Sequence, residues 1–446
     1  MTKDMTQGSP VRLIPGFALP LLVGMVFQKL YSIVDTMIVG RFLGVQALAG
    51  VGATGSIDFL VLGFCMGLCA GFAIPVAQRF GAGEEGRMRE FAANGVWLCV
   101  AFGAVLTALT VIFCRDILSA MGTPLECIEE AYDYIVVAFA GIPFLMMYNL
   151  LSGYLRALGD SKTPLFFLVF SSVLNVVLDL VFILAFHMGV FGASLASVIS
   201  QGVSGILCLA WIRRRVPLLH ISRREWRLNR DRIWTLCACG VPMGLQYAIT
   251  AFGTVVMQVA VNSLGTVAVA AVTAALRVLN FLAVPFEALG TTMATYSAQN
   301  VGAGKHERLD HGMVTAAVMG GVYVLAAVAV VWCFGREMTQ IIIADGGDEL
   351  IGLSQTYMVV ETVCYPLLML VCTIRYTIQG MGFSGFAMIA GIMEMMARCV
   401  AAVLLVPYFG FLGVALGSPL AWLFADVFLI PTYIHFKKRL VTEMKR

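Results

Sequence analysis

The sequence has 446 residues, of which 60% are hydrophobic and 12% are charged, whereas a soluble domain typically has about 45–50% apolar and about 25% charged residues. This composition excludes a soluble globular protein and indicates a polytopic integral membrane protein, whose main partner is the lipid bilayer. The formal net charge of +3 is too small to indicate a nucleic-acid partner.

Apolar stretches long enough to cross a bilayer as helices, which takes about 20 residues, recur twelve times along the chain. The sequence therefore predicts an all-α integral membrane protein with twelve transmembrane helices. The predicted helices cover residues 14–39, 52–78, 91–114, 131–152, 164–186, 190–212, 233–262, 271–298, 310–334, 351–378, 385–407 and 411–434. Predicted kinks lie at Pro20, Pro242, Pro285 and Pro366.

Lysine and arginine concentrate on one side of these helices. With an even number of crossings both termini share a side, and 22 of the 29 Lys and Arg residues fall on that side. Because cytoplasmic loops carry the excess of basic residues, we expect a multi-pass protein of the plasma membrane with both termini in the cytoplasm. The basic stretch 213–232 is interpreted as a topology determinant, with an anionic-lipid site as the alternative.

The two halves of the chain repeat each other. The segments that recur at offsets of 221 or 223 residues are 43–44 with 264–265, 77–83 with 298–304, 156–159 with 379–382, and 189–192 with 410–413. We therefore expect an N-terminal six-helix lobe at 1–215, a basic cytoplasmic linker at 216–232 and a C-terminal six-helix lobe at 233–446. Two pseudo-symmetric bundles with a cavity between them are typical of an alternating-access transporter.

Polar side chains inside the predicted helices of the first half are functional candidates, because such groups are costly in hydrocarbon. They are Asp35 in helix 1, Tyr134 in helix 4, Asn175 and Asp179 in helix 5, and Ser197 in helix 6. The helical rise places Asp35 about 6 Å, and Asp179 and Ser197 about 10 Å, from the outer ends of their helices. Asp35 and Asp179 are expected to take up H⁺, or Na⁺ together with Asn175. Interhelical hydrogen bonding is the alternative for each residue alone.

The second half lacks matching carboxylates. Its candidates are Glu287, Glu361, and Glu394 with Arg398, which are four residues apart on predicted helix 11 and are interpreted as a structural ion pair. The sequence has no transition-metal ligand set, HExxH motif or P-loop, so we expect neither an enzyme nor a cofactor.

Several residues and sequence segments together resemble the multidrug and toxic compound extrusion (MATE) family, in particular its prokaryotic DinF-like branch. They are Pro20, Gln28, LYSIVDTMIVGRFLG at 30–44, AQRFGAG at 77–83, RALGDSKTP at 156–164, NVVLD at 175–179 and AQNVGAGK at 298–305.

The resemblance implies the MATE fold and antiport of small organic, often cationic, compounds against H⁺ or Na⁺. It implies a pocket built from Asp35, Tyr134, Asn175, Asp179 and Ser197. It also implies a hinge in helix 1 at Pro20, with Gln28 as a further candidate residue. We expect a monomer. A lipid-linked oligosaccharide flippase of the same superfamily is the alternative function, and a receptor or scaffold is disfavoured by the duplicated bundle.

Overall fold

The computed structural model describes residues 3–124, 126–343 and 347–444. Lys445 and Arg446, which are among the basic residues used above to predict the topology, lie outside this range, as does Asp345. In the described residues all regular secondary structure is helical.

The prediction of twelve membrane-spanning helices is confirmed within the described part of the chain. Ten spans are long and apolar enough to cross a membrane as single helices, and two more are bent helix pairs. The helices are α1 (Pro10–Phe42), α2 (Gly44–Gly81), α3 (Glu85–Ile112), α4 (Ile128–Ala140 and Ile142–Ala157), α5 (Lys162–Leu180), α6 (Gly189–Arg215), α7 (Arg230–Asn262), α8 (Thr266–Leu282 and Val284–Gly302), α9 (Glu307–Ile342), α10 (Asp348–Val363 and Tyr365–Gly380), α11 (Ser384–Val400) and α12 (Gly417–Met444). One π-helical turn extends each of α5 and α11, at Val181–Ala185 and Ala401–Leu405.

The two bent helices are α4 and α10, which change direction by 47° and 48°. Gly141 and Cys364 form the breaks, and a proline follows each break by two residues, at Pro143 and Pro366. Proline is tolerated there because the first turn of a helix has no intrahelical acceptor for its N–H groups. The predicted kink at Pro366 is confirmed, and the equivalent bend at Pro143 was not predicted.

The other three predicted kinks differ from one another. Pro285 follows a break at Ala283 within α8. Pro20 and Pro242 lie inside α1 and α7, where the helix is continuous. A proline inside a helix still removes one backbone hydrogen bond and crowds the preceding turn, so both remain candidate points of bending.

Glycines with positive φ occur at equivalent places in the two halves. The pairs are Gly44 (87°) with Gly265 (93°), Gly83 (71°) with Gly304 (70°), Gly159 (80°) with Gly382 (94°), and Gly189 (60°) with Gly410 (56°). A residue with a Cβ is strained in this conformation, which explains why glycine recurs in all four repeated segments. The repeat seen in the sequence is therefore also present in the backbone.

Backbone contacts divide the chain into two compact units. Unit 1 contains Leu19–Ala248, and unit 2 contains Met5–Ala18 and the chain from Ile249 onward. The predicted linker, 216–232, thus belongs to unit 1, as does the first part of α7, whereas the first part of α1 belongs to unit 2. The lobe limits inferred from the repeat differ from these units in those segments and remain a prediction.

The AQNVGAGK segment has a structural role in unit 2, where it anchors the start of the chain. The backbone N–H of Met5 donates to Oε1 of Gln299 at 2.8 Å, and Nζ of Lys305 donates to the carbonyl of Thr6 at 2.9 Å. Asn300 donates to the carbonyl of Met5 at 3.3 Å. These bonds satisfy backbone groups that are buried together with the Met5 side chain, which is 0% exposed.

The linker is packed against α3 in unit 1. Its contacts are an ion pair between Arg89 and Glu225 (2.7 Å), a hydrogen bond from the Trp97 indole to the Trp226 carbonyl (3.1 Å), and one from the Asn229 N–H to Oδ1 of Asn94 (2.9 Å). Burial opposes ionisation of Glu225, but hydrogen bonds from Arg89 and Ser222 outweigh it and leave its pKa below the usual value.

Helices α2 and α7 approach closely within unit 1 because glycines line their contact. A Cβ added at Gly71 would lie 2.4 Å from Cα of Gly240, and one added at Gly67 would lie 2.5 Å from the carbonyl oxygen of Met243. Small residues four apart allow helix backbones to meet in this way, which increases the van der Waals contact that holds helices together in lipid.

Replacing Gly71 by Ala is therefore expected to lower the stability of unit 1, because the new methyl group meets backbone atoms that cannot move away. We expect Gly71→Ala to cost about 1–3 kcal/mol, seen as a lower Tm of the purified protein. Gly52 lies on the same helix with no atom near its hypothetical Cβ. Gly52→Ala should leave the Tm unchanged or raise it, and an equal loss in both variants would contradict the close-contact explanation.

Replacing Glu225 by Gln is expected to release the linker from α3, because the linker loses its ion pair with Arg89. Trypsin should then cleave the linker arginines several-fold faster in the purified protein. The same release should occur in the wild type as the pH falls below the usual range of Glu, about 4.3, since a lowered pKa stabilises the docked form only while Glu225 is ionised. Glu85→Gln, which removes the more exposed partner of Arg89, is the control. Equal cleavage of both variants would contradict this role for Glu225.

Candidate cation and substrate site

The polar residues predicted from the first half occupy four helices of unit 1. Asp35 lies on α1, Tyr134 on the first half of α4, Asn175 and Asp179 on α5, and Ser197 on α6. Asn175 and Asp179 are 2% and 0% exposed, as expected for residues that share the inward face of α5. Nδ2 of Asn175 donates to Oγ of Ser197 at 3.1 Å, which joins α5 to α6.

Asp35 and Asp179 form the centre of this group. Their carboxyl groups lie within hydrogen-bonding distance of each other. Among the described residues, no donor faces either oxygen of Asp179, Oδ1 of Asp35 or Oδ1 of Asn175. Two ionised carboxylates are both acceptors, so they can share a hydrogen bond only when one carries a proton. A cation between them would remove the same repulsion.

Tyr31 and Gln28 extend the site along α1. The Tyr31 side chain hydrogen-bonds with Gln28 and lies within the electrostatic field of both Asp35 and Asp179. Gln28, Tyr31 and Asp35 are three and four residues apart, so they share one face of α1. This spacing was the available signal for Tyr31, which the sequence analysis did not select.

Asp58 on α2 is a third acid of unit 1 that the sequence analysis missed. One of its oxygens accepts a 3.5 Å hydrogen bond from Thr54, and the other has no partner among the described residues. Asp58, Asp35 and Asp179 all act electrostatically on Tyr134. An acid inside an apolar helix was again the signal, and Asp58 met that criterion as well as Asp35 did.

Pro20 lies on α1 four turns before Asp35, at a distance of about 22 Å along the helix axis. It is half-buried, and the helix is continuous around it. Its role as a hinge remains a prediction.

Unit 2 contains a different buried charge cluster. Glu394 on α11 is hydrogen-bonded to Arg375 on α10, and its second oxygen is 4.0 Å from Arg398. The pair predicted from sequence, Glu394 with Arg398, is therefore present, but the closer partner of Glu394 is Arg375. Both arginines are at most 9% exposed, so the single negative charge of Glu394 lies between two buried positive charges.

Two further buried acids of the second half act electrostatically on the same arginines, Glu361 on Arg398 and Asp426 on Arg375. Glu361 on α10 is 4% exposed and is hydrogen-bonded by Tyr357 and Ser418. Asp426 on α12, which the sequence analysis did not select, is 3% exposed and lies within the electrostatic field of Arg375. Glu287 is exposed in the first turn of the second half of α8. Across the described residues, no three His, Cys, Asp or Glu side chains are arranged to hold a metal ion.

Comparison with known proteins gives concordant matches. The chain is 28% identical over 99% of its length, and 99% of the relative's, to the probable multidrug resistance protein YpnP of Bacillus subtilis. It is 25% identical over 68% of both lengths to a protein named FAD transporter from Shewanella oneidensis. The outward-facing structure of a multidrug resistance MATE family transporter of the MOP superfamily matches with a TM-score of 0.92, 23% identity and 99% of each chain covered.

The MatE family model matches the chain twice, at residues 20–181 and 242–404. The two matches begin at Pro20 and Pro242, whose separation of 222 residues is within one residue of the offsets of the internal repeat. Together they cover most of the twelve helices. The chain therefore belongs to the MatE family of multipass membrane transporters, the multidrug and toxic compound extrusion proteins.

Proposed function

We propose that the protein is a cation-coupled antiporter that exports small organic, often cationic, compounds across the plasma membrane by alternating access. The observation that supports this most directly is the contact between Asp35 and Asp179. Both oxygens of Asp179 and Oδ1 of Asp35 have no hydrogen-bond donor among the described residues. Such a pair requires a proton or a bound cation. The family membership accounts for export, and the acidic pair accounts for its coupling to H⁺ or Na⁺.

The proposed cycle uses competition for the same negative charge. With the site unprotonated and free of Na⁺, Asp35 and Asp179 repel each other and attract an organic cation. Binding of H⁺ or Na⁺ removes both the repulsion and the attraction, so the organic cation is displaced. Asn175 supplies a further oxygen for Na⁺, Ser197 orients Asn175, and Tyr134 and Gln28 complete the polar surface.

Helix α1 carries Asp35 and contains Pro20. We propose that neutralisation of Asp35 changes its packing against α5 and that α1 bends at Pro20, where a backbone hydrogen bond is already missing. Both termini are proposed to be cytoplasmic because the basic residues concentrate on their side. Since one chain contains both bundles, the monomer is the proposed transporting unit.

The positive charge proposed for the substrate differs from the charge that one relative's name indicates. One relative is named FAD transporter, and FAD is an organic anion. The three acids near Tyr134 favour a cation in unit 1 instead. Transport assays with proteoliposomes loaded with a fluorescent organic cation, or with FAD, distinguish a cationic from an anionic substrate. Imposing a proton gradient and a Na⁺ gradient in separate experiments identifies the coupling ion. A flippase of lipid-linked oligosaccharides would export neither probe.

Replacing Asp35 or Asp179 by Asn removes one carboxylate without changing the size of the side chain. We expect each variant to reduce gradient-driven export of the organic cation by at least about tenfold, because the amide cannot take up a proton or neutralise Na⁺. Asp58→Asn tests whether the third acid belongs to the same site, and an intermediate loss is expected. Asp133→Asn, at an exposed position beside Tyr134, is the control. Wild-type export by Asp35→Asn at equal abundance would contradict the proposal.

Replacing Glu394 by Gln is expected to destabilise unit 2 without changing the coupling ion. The substitution leaves Arg375 and Arg398 buried without their shared counter-charge, which costs about 3–5 kcal/mol. The measurement is the Tm of the purified protein, with Glu287→Gln at an exposed position as the control. Export per folded molecule should keep its dependence on pH and Na⁺. A changed ion dependence at wild-type Tm would instead assign Glu394 to the coupling site.

A further inference from the structure

A cavity of about 890 Å³ lies within unit 1, and none of the acidic site residues lines it. Helix α3, the second half of α4 and α6 form its walls, and the linker closes one end. The walls are apolar, with Val96, Phe144, Met147 and Leu209 among the lining residues. The volume lies within the range of sites that bind small molecules, about 300–1,000 Å³.

The length of this cavity matches one leaflet of a bilayer. Its lining residues on α3 run from Ala92 to Ala104, which corresponds to about 18 Å along the helix. The hydrocarbon core of a bilayer is about 30 Å thick, so one leaflet contributes about 15 Å. With the linker at the membrane surface, a cavity of this length would reach about the middle of the bilayer.

The linker end of the cavity is polar and positively charged. Arg213, His220 and Trp226 line it there. The His220 ring is hydrogen-bonded to the Arg213 carbonyl at 2.7 Å, which joins the end of α6 to the linker. Residues 213–232 contain eight arginines and two acids, and one of these acids, Glu225, is already paired with Arg89. An anion at this end meets excess positive charge.

We propose that the cavity binds one acidic phospholipid from the leaflet that faces the linker. Its acyl chains lie along α3, and its phosphate faces Arg213 and His220. A small free anion would contact only the linker end and would leave most of the apolar walls of the cavity unfilled. The arginines disfavour an organic cation. Basic pockets between membrane helices bind acidic headgroups by this combination of charge and apolar surface. The proposal does not depend on the coupling mechanism proposed above.

The test uses the purified, delipidated full-length protein in detergent, titrated with phosphatidylglycerol that carries brominated acyl chains. Bromine quenches nearby indoles, and Trp97 lies with Trp226 at the linker end, with a ring-centroid distance of 6.2 Å. We expect saturable quenching of the tryptophan fluorescence. Arg213→Glu should weaken binding about tenfold. Arg214→Glu makes the same charge change at an exposed position that does not line the cavity, and should change binding less than about twofold.

Three outcomes would overturn the proposal. Equal quenching by brominated phosphatidylcholine would show that the headgroup charge is not recognised. Equal losses in Arg213→Glu and Arg214→Glu would show attraction by the basic surface as a whole. Loss of the quenching when glycerol phosphate is added at the same concentration as the lipid would identify a free-phosphate site. Val96→Phe narrows the cavity without a charge change, and it should weaken the quenching even where Arg213→Glu fails to fold.

Discussion

Within the hydrocarbon core of a membrane there is no water to hydrogen-bond a peptide group or to solvate a charge. The described chain meets the first part of this constraint with helices, and several of its buried hydroxyl groups are hydrogen-bonded within their own helix. The side chains of Thr292, Thr339, Thr362 and Thr373 each donate to the carbonyl four residues earlier. Polar side chains that do not hydrogen-bond to a carbonyl of their own helix need hydrogen-bond or charge partners on other helices.

The two units differ in what lies next to their buried carboxylates. In unit 2 the buried acid Glu394 lies between two arginines, so its charge is balanced by the protein itself. In unit 1 the acids Asp35 and Asp179 meet each other instead, and no arginine is paired with them among the described residues. An internally balanced cluster favours a fixed structure, whereas an unbalanced pair responds to the ions around it. The duplicated backbone thus carries two different kinds of charge chemistry.

Much of the fold could be predicted because bilayer thickness fixes the length of each apolar segment, and the repeated glycines mark where helices end. The Asn175 and Asp179 part of the site could be predicted because residues four apart share a helix face. Other features depend on contacts between distant segments. Arg375 is 19 residues from Glu394, so no helical spacing links them, and the docking of Glu225 on Arg89 spans 136 residues. Asp58 was missed although the sequence carried the same signal as for Asp35.

The two units exchange the first parts of two helices. Unit 1 contains the start of α7, which the repeat assigns to the second half, and unit 2 contains the start of α1, which the repeat assigns to the first. Domain-swapped homodimers exchange an equivalent element between two chains. In this chain the exchange takes place between two repeats of the same molecule, so a fragment cut at the repeat boundary would carry the first part of a helix that belongs to the other unit.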